Sequence, residues 1–141
     1  MVLDFRYFGF LSNSMNSRVE SLTKYYGVQM LVTRDTFEKL TDVPPSRLLD
    51  CVIVKGKNAP IELLEVSFSK EKSNFHELAQ KYTEAFNHYR NGQFEVAERL
   101  FGQLAETEND APSLVLKQRC VELRANPPSI WEGVYRLETK N

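Results

Sequence analysis

Residues 47–66 read RLLDCVIVKGKNAPIELLEV, and this stretch constrains the fold more than any other. Two short runs rich in Leu, Ile and Val flank a tight, lysine-bearing segment, Val-Lys-Gly-Lys-Asn. Runs of this length and content read as strands, and Gly56 between two lysines marks the turn that joins them. The spacing predicts strands over residues 47–54 and 60–67. Pro60 is tolerated as the first residue of a strand, where no ladder hydrogen bond is asked of it.

The elements before the hairpin follow from periodicity. Met15, Val19, Leu22 and Tyr26 recur at helical spacing, which predicts an amphipathic helix ending at Gly27. Residues 28–32, VQMLV, read as a short strand. Thr33 is placed to cap a brief helix over 34–40 that stops before Pro44-Pro45.

Beyond the hairpin the pattern changes. SFSKEKSN, residues 67–74, is polar and reads as a linker. Phe75, Leu78, Ala79, Tyr82, Ala85, Phe86 and Tyr89 then form one apolar stripe at helical spacing, with Asn74 and Glu77 spaced as a capping box. Asn91-Gly92 breaks that helix. A second stripe runs through Phe94, Ala97, Leu100, Phe101 and Leu104. Pro112 opens a third helix, carried by Leu116, Cys120 and Leu123 and stopped by Asn126-Pro127-Pro128. The fold expected is α+β, with a partial sheet domain over 1–68 and an all-helical tail over 73–141.

Composition narrows the function. At 141 residues and 42% apolar, the chain has material for one core and a small second one. A net charge of −1, with 18 basic and 19 acidic residues spread through both halves, offers nothing to attract nucleic acid. No apolar run nears the roughly 18 residues needed to span a bilayer. The N-terminal MVLDFRYFGF is broken by Asp4 and Arg6 and lacks the features of a signal peptide. A cytoplasmic location is expected. Cys51 and Cys120 stand far apart without His partners, so they read as buried hydrophobes in a reducing compartment. His76 and His88 have no ligand-spaced partners and read as surface helix residues. Trp131, in PPSIWEGVY, reads as a plug against the tail helices.

Three motifs carry a family resemblance. SRVESLTKYYG at 17–27, VKGK at 54–57 and the strand that follows resemble the C-terminal part of a class III adenylate or guanylate cyclase catalytic domain, whose pattern at the first motif is NxASRxExLTKxYG. YRNGQFEVA at 89–97, with Phe101, resembles the turn and second helix of a tetratricopeptide repeat. A single repeat cannot bury its own face, so the third helix and the Trp131 segment are expected to cover it.

The resemblance implies a ferredoxin-like cyclase fold, cut to its C-terminal portion. It implies attack of a ribose 3′-hydroxyl on the α-phosphate of ATP or GTP, which forms the cyclic nucleotide and releases pyrophosphate, at a site between two domains. Two aspartates hold Mg²⁺ or Mn²⁺ in such a site, and cations absorb the developing charge. Arg18 matches the transition-state arginine and Lys55 the triphosphate-binding lysine. The catalytic Asn position falls on Ser14. Asn13 would fill it only with a one-residue insertion, and Asn16 stands where the family has a small residue. Gly9-Phe10 replaces an acidic purine reader, and Asp4 matches a structural position. Both metal aspartates belong to strands expected before residue 1, so no metal ligand is expected in this chain.

Three readings follow. The chain is an enzyme component that works with a second cyclase chain or a second copy of itself and is inactive alone. Or it is a non-catalytic module whose tail binds a protein. Or it is the product of a truncated cyclase gene.

Overall fold

In the segment 46–66, β-branched and leucine-rich runs around a glycine turn form the expected hairpin. A computed structural model of the chain describes residues 13–67 and 74–138, with side chains in the first helix from Glu20 onward. The hairpin strands are β2 (Ser46–Ile53) and β3 (Ile61–Val66), antiparallel and within one residue or so of their expected bounds. β1 (Leu31–Thr33) pairs antiparallel with the other side of β3. β4 (Tyr135–Arg136), which periodicity did not reveal, pairs parallel with β2, so the sheet order is β1-β3-β2-β4. A two-residue strand is too short to show any alternation.

The helices are α1 (Asn13–Tyr26), α2 (Arg34–Phe37), α3 (Phe75–Arg90), α4 (Phe94–Thr107) and α5 (Ala111–Ala125). α1 ends where Gly27 takes a positive φ of 72°, and the N–H groups of Gly27 and Val28 both donate to Thr23 O. That closing turn occupies Val28, so the following strand begins at Leu31 rather than Val28. Thr33 Oγ1 accepts from Thr36 N and starts α2, as the sequence suggests. α2 is shorter than expected, because Lys39 and Leu40 donate to carbonyls three residues back and tighten the chain out of the α-helix.

Two expected helix starts differ in detail. Asn74 precedes α3, but its backbone is not extended and its side chain makes no cap bond, so the Asn74–Glu77 capping box does not form. α5 begins one residue earlier than Pro112. Its N-cap is Asp110, whose carboxylate accepts from Ser113 N, and Pro112 sits in the first turn where its missing N–H costs nothing.

The segments on either side of the expected boundary share one hydrophobic core. Leu22 and Tyr26 of α1, Leu49 and Leu63 of the hairpin, and Tyr82, Phe86 and Tyr89 of α3 all belong to it. So do Ala97 and Phe101 of α4 and Leu116 and Cys120 of α5. A smaller cluster, Val32, Leu64 and Val66, packs with Met30 and Phe37. Leu48 faces Leu64 and Asp50 faces Leu63, which leaves Leu49 as an extra, bulged residue. The bulge breaks the alternation of β2. Arg47, Asp50 and Val52 consequently all meet partners in the helical layer or its core. Among the described residues, no helix is long and apolar enough to cross a membrane.

Candidate functional site

The hairpin turn presents Lys55. Lys57 N–H donates to Val54 O at 3.0 Å, and Gly56 has φ of 85°. A positive φ at the third residue of such a turn is the signature of type II geometry and favours glycine there. Lys55 and Lys57 are exposed at this tip.

Arg18 and Asn13 both lie on α1, and their side chains fall outside the described residues. α1 is continuous from Asn13 to Tyr26. Five residues along an α-helix turn through about 140°, whereas four return to nearly the same face. Ser14 therefore shares the Arg18 face of α1, and Asn13 does not. Asp4, Gly9 and Phe10 lie outside the described residues. No three His, Cys, Asp or Glu side chains among the described residues converge to hold a metal ion.

What the structure brings together instead is a set of buried charges. Asp50 on β2 is wholly buried. Its Oδ2 accepts from Tyr26 OH at 2.6 Å and from Arg119 Nη1 at 2.5 Å, and its Oδ1 accepts from Cys51 N at 2.9 Å. Arg119 Nη1 also reaches Tyr89 OH at 3.2 Å, and Nη2 donates to Tyr25 OH at 3.1 Å. The guanidinium carbon lies 4.0 Å from the centre of the Tyr135 ring. Burial disfavours the Arg119 cation, but Asp50 and the surrounding phenols outweigh it and hold the group charged. Burial, then the Asp50 charge, pushes the Tyr26 phenol well above its ordinary range.

A second buried cation, Arg47, bonds Glu65 through Nε at 2.7 Å and Asp110 through Nη1 and Nη2 at 3.0 and 2.7 Å. Burial works against its charge as well, and the Asp110 and Glu65 carboxylates raise its pKa regardless. Arg47, Glu65 and Asp110 line an open cleft of about 350 Å³ together with Gly27, Phe75 and Pro112. These charges are committed to one another, so the cleft offers an incoming ligand packing surface more than free charge. At the surface, Glu62 takes Arg34 at 3.0 Å and Arg90 at 3.3 Å, partly exposed pairs of small energetic weight.

Sequence reasoning missed both buried networks. The available signals were a lone Asp50 inside an apolar strand and Arg119 inside the stripe of Leu116, Cys120 and Leu123. Each reads locally as an exposed charge. The two cysteines are buried as expected, and burial pushes the Cys120 thiol up to about 12.

Comparison with known proteins supports a cyclase-related segment. In an alignment of 117 positions that covers 77% of its length, the chain is 32% identical to the terminal-differentiation-specific adenylate cyclase of Dictyostelium discoideum. It spans 6% of that protein's length. No family model matches the chain, and no solved structure matches it.

Proposed function

We propose that this chain forms the C-terminal portion of a nucleotide cyclase catalytic domain, closed by a tetratricopeptide-like helical tail. The observation that carries this reading is the adenylate cyclase match, which runs over 77% of the chain. In this reading Arg18 stabilises charge on the transferring phosphate and Lys55 holds the triphosphate. Electrostatic stabilisation of this kind is worth most in a site shielded from water. The aspartates that hold Mg²⁺ or Mn²⁺ in this reading come from another cyclase chain that carries them, and these 141 residues make no cyclic nucleotide by themselves.

The test is complementation. A cyclase catalytic domain that keeps its metal aspartates but lacks its own transition-state arginine is mixed with the full chain, ATP or GTP, and Mn²⁺. Cyclic nucleotide should form only in the mixture. Arg18→Ala should lower the rate about a hundredfold or more, the usual cost of one lost stabilising donor. A mixture as inactive as its separate parts, with both proteins folded, refutes the composite site.

A second reading, a module that binds protein through its tail, is favoured by Leu114 and Val121. Both are large, apolar and nearly half exposed on α5. Their seven-residue spacing places them on one helix face. Leu114→Glu with Val121→Glu should then abolish partner capture while leaving complementation intact.

A further inference from the structure

We infer that Arg119, on the tail helix α5, is a positioning residue that sets α1 and β2 in their working relation. This rests on the reading above, in which α1 carries Arg18 and β2 leads into Lys55. Arg119 sits among Leu116, Cys120 and Leu123 and is 3% exposed, so its guanidinium is held by what it touches. One arm, Nη1, binds Asp50 on β2 and Tyr89 on α3. The other arm, Nη2, binds Tyr25 on α1. Asp50 Oδ2 in turn accepts from Tyr26, also on α1. The loop closes: α1 to β2 through Tyr26 and Asp50, and α1 to β2 again through Tyr25, Arg119 and Asp50.

The positions of the anchors give this network its reach. Tyr25 stands seven residues after Arg18, about 10 Å along the helix axis. Asp50 stands three residues before the end of β2, about 10 Å along the strand, and Lys55 follows in the turn. α1 packs on β1 and α5, and Tyr25, Tyr26, Asp50 and Arg119 supply polar ties between α1 and β2. A change in the Arg119 fork would therefore swing the Arg18 helix against the Lys55 hairpin while the apolar core stayed filled. Lysine cannot substitute. It is a point donor and cannot span two elements with a planar fork.

Two variants separate positioning from mere support. Arg119→Lys keeps a cation beside Asp50 and gives up the fork to Tyr25. Tyr25→Phe removes the α1 arm alone and leaves the Asp50–Arg119 pair intact. In the complementation assay each should lower kcat by about tenfold to a hundredfold, the scale of a small misplacement of catalytic groups. KM for the nucleotide should stay close to that of the unaltered chain, while the melting temperature falls in both variants, less in Tyr25→Phe, where the Asp50–Arg119 pair remains. Spin labels at Glu20→Cys on α1 and Lys57→Cys at the hairpin tip, in the full chain, read the geometry directly. A single narrow distance distribution should broaden or shift in both variants. If kcat is unchanged, or if the distribution is unchanged, Arg119 does not position these elements. If the unaltered chain fails to complement, the cyclase reading falls, and the label distances alone then decide the positioning role.

Discussion

Arg47 and Asp110 lie 63 residues apart and meet through two parallel hydrogen bonds of 3.0 and 2.7 Å, with both side chains almost wholly buried. Arg47 comes from the first hairpin strand and Asp110 from the residue before α5. The guanidinium also lies 4.7 Å from the centre of the Tyr82 ring, and Asp110 accepts from Ser113 N and Ser113 Oγ at the start of α5. One carboxylate thus caps a tail helix and neutralises a cation of the sheet.

Asp110→Ala should be among the most destabilising single changes in the chain. It removes an N-cap, worth about 1 kcal/mol, and leaves the two Nη groups of the buried Arg47 without their carboxylate while Nε keeps Glu65, a loss below the about 3–5 kcal/mol of a fully uncompensated buried charge. Asp110→Asn keeps a capping oxygen and should fall between Ala and the unaltered chain. Urea unfolding followed by circular dichroism measures both. Equal losses for Asn and Ala would mean that the cap contributes nothing separable from the ion pair.

The isolated segment 74–138 should not fold cooperatively. Periodicity alone leads to the opposite expectation, a compact helical unit, since its three stripes are continuous. In the structure, however, Tyr82 OH donates to Leu49 O, Arg119 needs Asp50, Asp110 needs Arg47, and β4 needs β2. Cutting the chain at the linker leaves buried polar groups without partners, at about 1–3 kcal/mol each. A fragment that melts cooperatively near the temperature of the full chain would sink this prediction.

Trp131→Ala should cost about 2–3 kcal/mol, below the about 3–5 kcal/mol typical of a fully buried ring. The indole is only partly buried. It stands edge-on to Tyr89 and Phe94 with centroids 5.2 Å away, and its N–H donates to Tyr89 O at 3.0 Å. Trp131→Phe should recover most of the loss, because it retains the ring contacts and gives up one hydrogen bond. Thermal melts of the full chain decide it. An unchanged melting temperature for Trp131→Ala would release this residue from any structural role.

Gly27→Ala should destabilise by more than the about 1 kcal/mol of an ordinary left-handed substitution. Its φ is 72°, and an added Cβ would meet the Ala111 Cβ at 2.7 Å. The double variant with Ala111→Gly should regain the steric part and keep the backbone part. If the double variant is no better than the single one, the clash with Ala111 is not what the added methyl costs.

Stability should fall steeply at alkaline pH. Burial, the largest cause in every case, raises the phenols of Tyr26, Tyr82 and Tyr89 and the thiol of Cys120. The unfolded chain releases these protons first, near pH 8.5 for a thiol and about 10 for phenols. Their contribution is therefore complete below about pH 8.5 and is lost as pH rises, through about 12 for Cys120. Each group that ionises only in the unfolded chain removes about 1.4 kcal/mol per pH unit. Urea midpoints between pH 8 and 11 should drop monotonically, and a flat profile would contradict the burial of these groups.

Local sequence determined the elements because their causes are local. Gly27 and Gly56 need only their own φ, Thr33 caps from three residues away, and a hydrophobic run declares its period within a dozen positions. The hairpin, α1, the three tail helices and the exposed lysine tip were legible on those grounds, as was burial of Cys51 and Cys120. Tertiary structure alone decided where the charges went. A bulge at Leu49 turns Asp50 toward the helical layer, and only then can it meet Arg119, 69 residues away. The same holds for Arg47 with Asp110, and for β4, whose two residues become a strand only because β2 lies beside them. An isolated charge in an apolar run is costly to bury until its partner is in place, and no window of sequence contains both partners.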